Sequence, residues 1–120
     1  MPRKCQTCYP KKLGIKHTIT TLNGVIFHYD MCNRPVIIAS PQEHMTEFPH
    51  DKDFLGNLSQ TILQFCSNWN FTNYSLVWDI REYNINHIKV KIFIQEQDKD
   101  KLKSMKDIHF DVINRSKYYS

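Results

Sequence analysis

Asn86-His87-Ile88-Lys89-Val90-Lys91-Ile92-Phe93-Ile94 alternates with a period of two: Ile88, Val90, Ile92 and Ile94 fall on one side, and His87, Lys89, Lys91 and Phe93 on the other. One side reads as core, and the other as an exposed column of basic groups. A strand of this kind needs neighbours, and the chain supplies them upstream. Tyr74 to Ile80 reads as a strand ending in the polar run Arg81-Glu82-Tyr83-Asn84. His17 to Leu22 is extended and β-branched, Asn23-Gly24 has the composition of a type I′ turn, and Val25 to Asp30 returns with Ile26, Phe27 and Tyr29, which predicts a hairpin. Val36-Ile37-Ile38-Ala39 is apolar throughout, as a central strand is, and Ser40-Pro41 stops it. Pro41 then stands at the first position of a predicted helical turn, with His44 near its start.

Between the third and fourth strands, Phe54, Leu55, Leu58, Ile62, Phe65, Cys66 and Trp69 recur at spacings of three and four. That spacing predicts one long helix over 51–69 with a single apolar stripe, on which Cys66 is a packed thiol. Gln97-Asp98-Lys99-Asp100 has a helix-start composition, and Leu102, Met105 and Ile108 continue a second, shorter helix. The expected class is α+β: an antiparallel sheet of about five strands packed with one long helix and a shorter C-terminal one. A chain of 120 residues, 41% hydrophobic, supports one core and so a single domain over 1–120, with 1–16 as a basic N-terminal segment and 96–120 as a C-terminal extension.

The apolar runs are too short for a membrane helix, and no apolar stretch follows the basic start as in a secretory signal. The expected location is therefore intracellular, cytoplasmic or nuclear, with no membrane partner. The first sixteen residues carry Arg3, Lys4, Lys11, Lys12 and Lys16 and no acid, which exceeds the whole net charge of +4, so the rest of the chain is close to neutral. A basic end of this kind suits nucleotides or nucleic acid, but lysine predominates over arginine, and lysine is a point charge rather than a bidentate reader of bases.

The cysteines stand at 5, 8, 32 and 66, and in an intracellular chain this pattern favours metal over disulfides. Cys5 and Cys8 are spaced to reach one tetrahedral zinc ion, which needs two more ligands. The candidates are His17, His28, Cys32, His44, His50 and His87; His44 and His87 are placed on elements expected to be rigid.

The order of elements, the segment Pro35 to His44, the helix after it and the strand His87 to Phe93 together resemble the histidine triad superfamily of nucleotide hydrolases and transferases, over roughly residues 5–95. The resemblance implies a structural zinc held by Cys5, Cys8, His44 and His87. It also implies a nucleotide-facing surface with Lys89 and Lys91 at the second and third triad positions, and Asp79 near the place of a ribose-contacting asparagine. Active members attack the α-phosphorus with the middle histidine, which here is Lys89, and a lysine must lose its proton before it can attack. The Ser- or Thr-containing stretch that serves the leaving group in the family is replaced by Arg81 to Asn86.

The reading that follows is a catalytically inactive member acting as a binding or interaction module, with zinc stabilising the fold. The alternatives are a nucleotide-binding protein, a variant hydrolase or transferase using Lys89, and a zinc-containing nucleic-acid module. The resemblance further implies a homodimer whose sheets extend across a two-fold interface and whose long helices pack there, with the apolar residues around Trp69 and from Phe110 to Tyr119 contributing, and leaves room for a heterologous protein partner.

Overall fold

The computed structural model describes residues 18–29, 35–82 and 85–108, with residues 18, 81, 82, 85 and 86 described by their backbone alone. Five strands form one antiparallel sheet: β1 Thr18–Leu22, β2 Val25–Tyr29, β3 Val36–Pro41, β4 Tyr74–Glu82 and β5 Ile85–Ile94, in the order β1-β2-β3-β5-β4. The hairpin turn falls at Asn23 and Gly24, both with positive φ (49° and 78°), the conformation a type I′ turn requires. The apolar β3 is the central strand, paired with β2 on one side and β5 on the other. The sequence-level class is the observed one, α+β with one long and one shorter helix.

Helix α1, Lys52–Asn68, connects β3 to β4. The Asp51 carboxylate caps it by accepting from the amides of Asp53 (2.9 Å) and Phe54 (3.4 Å). At the other end Asn70 takes the left-handed conformation (φ 60°) and the Phe71 amide returns to the Cys66 carbonyl (2.9 Å), so the helix stops where Asn can follow Trp69. Its stripe of Leu58, Ile62, Phe65 and Cys66 is buried on the sheet, and the Phe65 ring stacks on Phe27 of β2 with centroids 4.1 Å apart. A turn of 3-10 helix, Glu96–Asp98, leads into helix α2, which runs over residues 99–108 and contributes Leu102 and Met105 to the same core.

Gly56 lies inside α1, is exposed, and has nothing within 4 Å of where a Cβ would stand. A helix-interior glycine costs about 1 kcal/mol relative to alanine. Gly56→Ala is therefore expected to raise the unfolding free energy by about 1 kcal/mol in urea melts. An unchanged or lowered midpoint would show that the helix does not run through this position.

The helical turn expected after Ser40 is absent. Pro41 remains in β3, opposite Val25, and residues 42–50 form a loop. Two backbone bonds hold this loop: the Gln42 amide donates to Gly24 in the hairpin turn (2.8 Å), and Ile88 of β5 donates to Met45 (2.8 Å). Proline fits the strand end because the residue that must donate there is Gln42, not Pro41.

Candidate functional site

Directly opposed residues of an antiparallel pair share a face, so the strand registers sort the sheet into two sides. Phe27, Ile37, Ala39, Val90, Ile92 and Leu76 face the helices. The second side carries the chemistry. Across it, Ile26 of β2 opposes Ser40 of β3, and Lys89 of β5 opposes Asp79 of β4; Ala39 opposes Val90, so continuing that register sets Ser40 beside Lys89. The next row runs His28, Ile38, Lys91 and Val77.

The second side of β5 is not the exposed column that the alternation predicts. His87 is fully buried, Lys89 is 6% exposed, and Ser40, His28 and Val36 are also buried. Alternation reports that two faces differ in polarity, not that the polar one is wet. The exposure is graded along the strand. Lys89 is the inner cation, whereas Lys91 is half-buried and forms an ion pair with Asp79 (Nζ to Oδ2, 3.2 Å) across the β4–β5 ladder. A partly shielded pair of this sort orients the lysine more than it stabilises the fold. The Ser40 hydroxyl is fully buried and makes no hydrogen bond among the described residues, a state that costs free energy unless something else engages it. Ser40 was not a sequence-level candidate, because only the β3–β5 register brings it to Lys89.

His44 and His87 do come together, from the loop after β3 and from the start of β5. Their Nδ1 atoms are 3.2 Å apart, and the rings meet edge-on with centroids separated by 5.0 Å. His87 Nε2 lies 3.1 Å from the Pro41 carbonyl. A carbonyl only accepts, so a hydrogen bond there has Nε2 as its donor, and the contact between the two Nδ1 atoms has one imidazole as donor and the other as acceptor.

The zinc-stabilised fold expected from Cys5, Cys8, His44 and His87 is overturned. Among the described residues no group of three or more His, Cys, Asp or Glu comes together that could hold a metal ion. The two histidines that do meet direct their facing nitrogens at each other and at backbone. Cys5, Cys8, His17 and Cys32 lie outside the described residues, and His28, another candidate, places its Nδ1 3.2 Å from the Tyr29 carbonyl. What holds the described part together is an apolar core whose buried residues come from β2, β3, β5, α1 and α2, with partly buried residues of β1 and β4 packed against it.

Cys66 is a packed thiol, as its place on the stripe implies; burial pushes it up to about 11, which excludes a thiolate nucleophile near neutral pH. Among the described residues no helix is long and apolar enough to cross a membrane. The chain matches no protein-family model and no curated protein.

Proposed function

We propose that the protein is a binding member of the histidine triad superfamily that holds the phosphate of a nucleotide-class ligand on the second side of its sheet and does not transfer it. The observation that carries this reading is Lys89, a lysine 6% exposed on a strand inside the sheet, which the β3–β5 register, continued by one residue, sets opposite Ser40 with its buried hydroxyl. Lysines are seldom buried, because removing the charge from water is costly. An anion on this side of the sheet would receive Lys89 and Ser40 as donors, and a weakly screened environment strengthens such an attraction. Lys91, oriented by Asp79, stands at the more open end of the same column. An ammonium offers three donors and no acceptor, so the position that is a nucleophilic imidazole in active members here favours holding phosphate over attacking it. We read the protein as a homodimer.

Calorimetric titration with adenosine and guanosine monophosphates and diphosphates, against the bare nucleosides, tests this. Saturable binding that requires the phosphate is expected. Lys89→Met, which keeps the apolar stem, should weaken it roughly ten- to hundredfold, the range of a lost charge-assisted hydrogen bond. No nucleotide turnover should accompany binding. Unchanged affinity in Lys89→Met, or no saturation by the wild type at millimolar nucleotide, would remove the proposal.

A further inference from the structure

The helix-facing side of the sheet holds a cavity that the phosphate reading does not use. It has a volume of about 440 Å³ and lies between the edge strand β1 and the C-terminal end of α1, lined by Ile19, Thr20, Leu22, Phe65, Asn68 and Trp69. Thr20 opposes Phe27 and Leu22 opposes Val25, so these walls share the side of the core and not that of Lys89. Strict alternation would send Ile19 and Thr20 to opposite faces of β1. The ladder irregularity between Thr18 and Thr20 brings both to this cavity, as a bulge does where it re-aims a side chain. The wall formed by α1 is fixed by its own contacts: the Phe65 ring is stacked on Phe27, and the Trp69 amide donates to the Phe65 carbonyl (3.3 Å).

We propose that this cavity binds a neutral, flat ring compound that carries a carbonyl oxygen. Small-molecule sites span roughly 300–1,000 Å³ and combine mostly apolar walls with a few polar groups that orient the ligand, and the cavity has both properties. Ile19, Leu22, Phe65 and Trp69 supply the apolar walls, and two of these are aromatic, which suits a ring. The polar groups are the Thr20 hydroxyl and the Asn68 amide, on two exposed residues and therefore at the rim. Gln64 Nε2 donates to Asn68 Oδ1 (2.8 Å), so the oxygen is engaged and the NH2 group is left to donate. Donors at the rim call for an acceptor on the ligand. Among the described residues that line the cavity none is charged, so a carboxylate or an ammonium entering it gives up water without gaining a counter-charge. A neutral carbonyl supplies the acceptor without that cost. The site lies on the opposite side of the sheet from the phosphate-binding surface and does not depend on it.

Naphthamide is the probe, with naphthoate as its charged counterpart, and the titration is followed by the chemical shifts of backbone amides and indole N–H groups. Saturable binding of naphthamide is expected, with shifts centred on Thr20, Leu22, Asn68 and the Trp69 indole. Naphthoate should bind at least about tenfold more weakly. Asn68→Leu keeps the bulk of an exposed side chain and removes the donor, and it should weaken naphthamide roughly three- to tenfold, the range of one lost hydrogen bond. Thr20→Arg, also at an exposed position, sets a cation at the rim and should bring naphthoate level with naphthamide or above it. Adenosine monophosphate should not displace the probe. No saturation at millimolar naphthamide, shifts that map elsewhere, equal affinity of the wild type for naphthoate, or a preference that Thr20→Arg leaves unchanged would overturn the site. Displacement by adenosine monophosphate would overturn it too, by placing the probe on the second side of the sheet.

Discussion

Phe65→Ala is expected to lower the unfolding free energy by about 3–5 kcal/mol, the range found when a fully buried aromatic side chain is truncated. Phe65 is 1% exposed and lies at the centre of the contact between α1 and the sheet, stacked on Phe27. Three losses coincide there: the transfer free energy of the ring, the cavity it leaves, and the stacking with Phe27. A domain of ordinary stability has roughly 5–15 kcal/mol in total, so the variant retains a small margin. Leu63 is the internal comparison. It sits two residues earlier on the same helix, is 51% exposed, and its truncation should change stability by under about 0.5 kcal/mol. Urea melts of the two variants check the contrast, read from the midpoint with the slope unchanged. Equal effects at 63 and 65 would mean that α1 is rotated from the described packing.

That contrast was legible before any coordinates, because the spacing of Phe54, Leu58, Ile62 and Phe65 distinguishes the two faces of the helix without reference to the rest of the chain. The same holds for the hairpin at Asn23-Gly24 and for the α+β class, which rest on local patterns with a physical period. What was not legible depends on non-local placement. Pro41 suits the first turn of a helix as well as the end of a strand, and only its register with Val25, together with the Gln42 amide bond to Gly24, decides for the strand. Lys89 alternates like a solvent-facing residue and is nevertheless buried; its place opposite Ser40 follows from continuing the β3–β5 register, which a single strand's sequence does not encode. The metal reading erred for a related reason. The separation of Cys5 and Cys8 and the presence of histidines state what residues are available; Cys5 and Cys8 lie outside the described residues, and among those described no third ligand joins two others at a metal position. His44 and His87 do meet, but His87 also engages the Pro41 carbonyl.

Asp98→Asn is expected to destabilise the protein near neutral pH and to flatten its acid-side loss of stability. Asp98 closes the 3-10 turn before α2, and its side chain is fully buried. Its Oδ2 accepts from the backbone amides of Asn73 (2.6 Å) and Thr72 (2.7 Å), and its Oδ1 lies 3.1 Å from Lys101 Nζ. One carboxylate therefore ties α2 to the connection between α1 and β4, and Lys101 reinforces the tie by donating to the Asn70 carbonyl (2.6 Å). The Asn73 amide is the main influence holding the Asp98 carboxyl below the usual aspartate range; burial opposes it, and Lys101 and the Thr72 amide add to it. The sign follows from linkage. With the folded-state value depressed, the unfolded chain binds the proton first as pH falls, so the contribution is complete above the ordinary aspartate value of about 3.9 and is lost as pH drops through it toward the folded value. Asparagine can keep one oxygen on the two amides, but it sets an NH2 group where Oδ1 faces Lys101 and carries no charge, so part of this contribution is missing in the variant at every pH where Asp98 is ionised. Urea melts of both proteins from about pH 7 down to about pH 2 should show the difference shrinking across that acid window. Amide exchange at Thr72 and Asn73 should lose protection in the variant. A difference between the two proteins that stays constant over the whole range would place the effect in packing and not in the charge of Asp98.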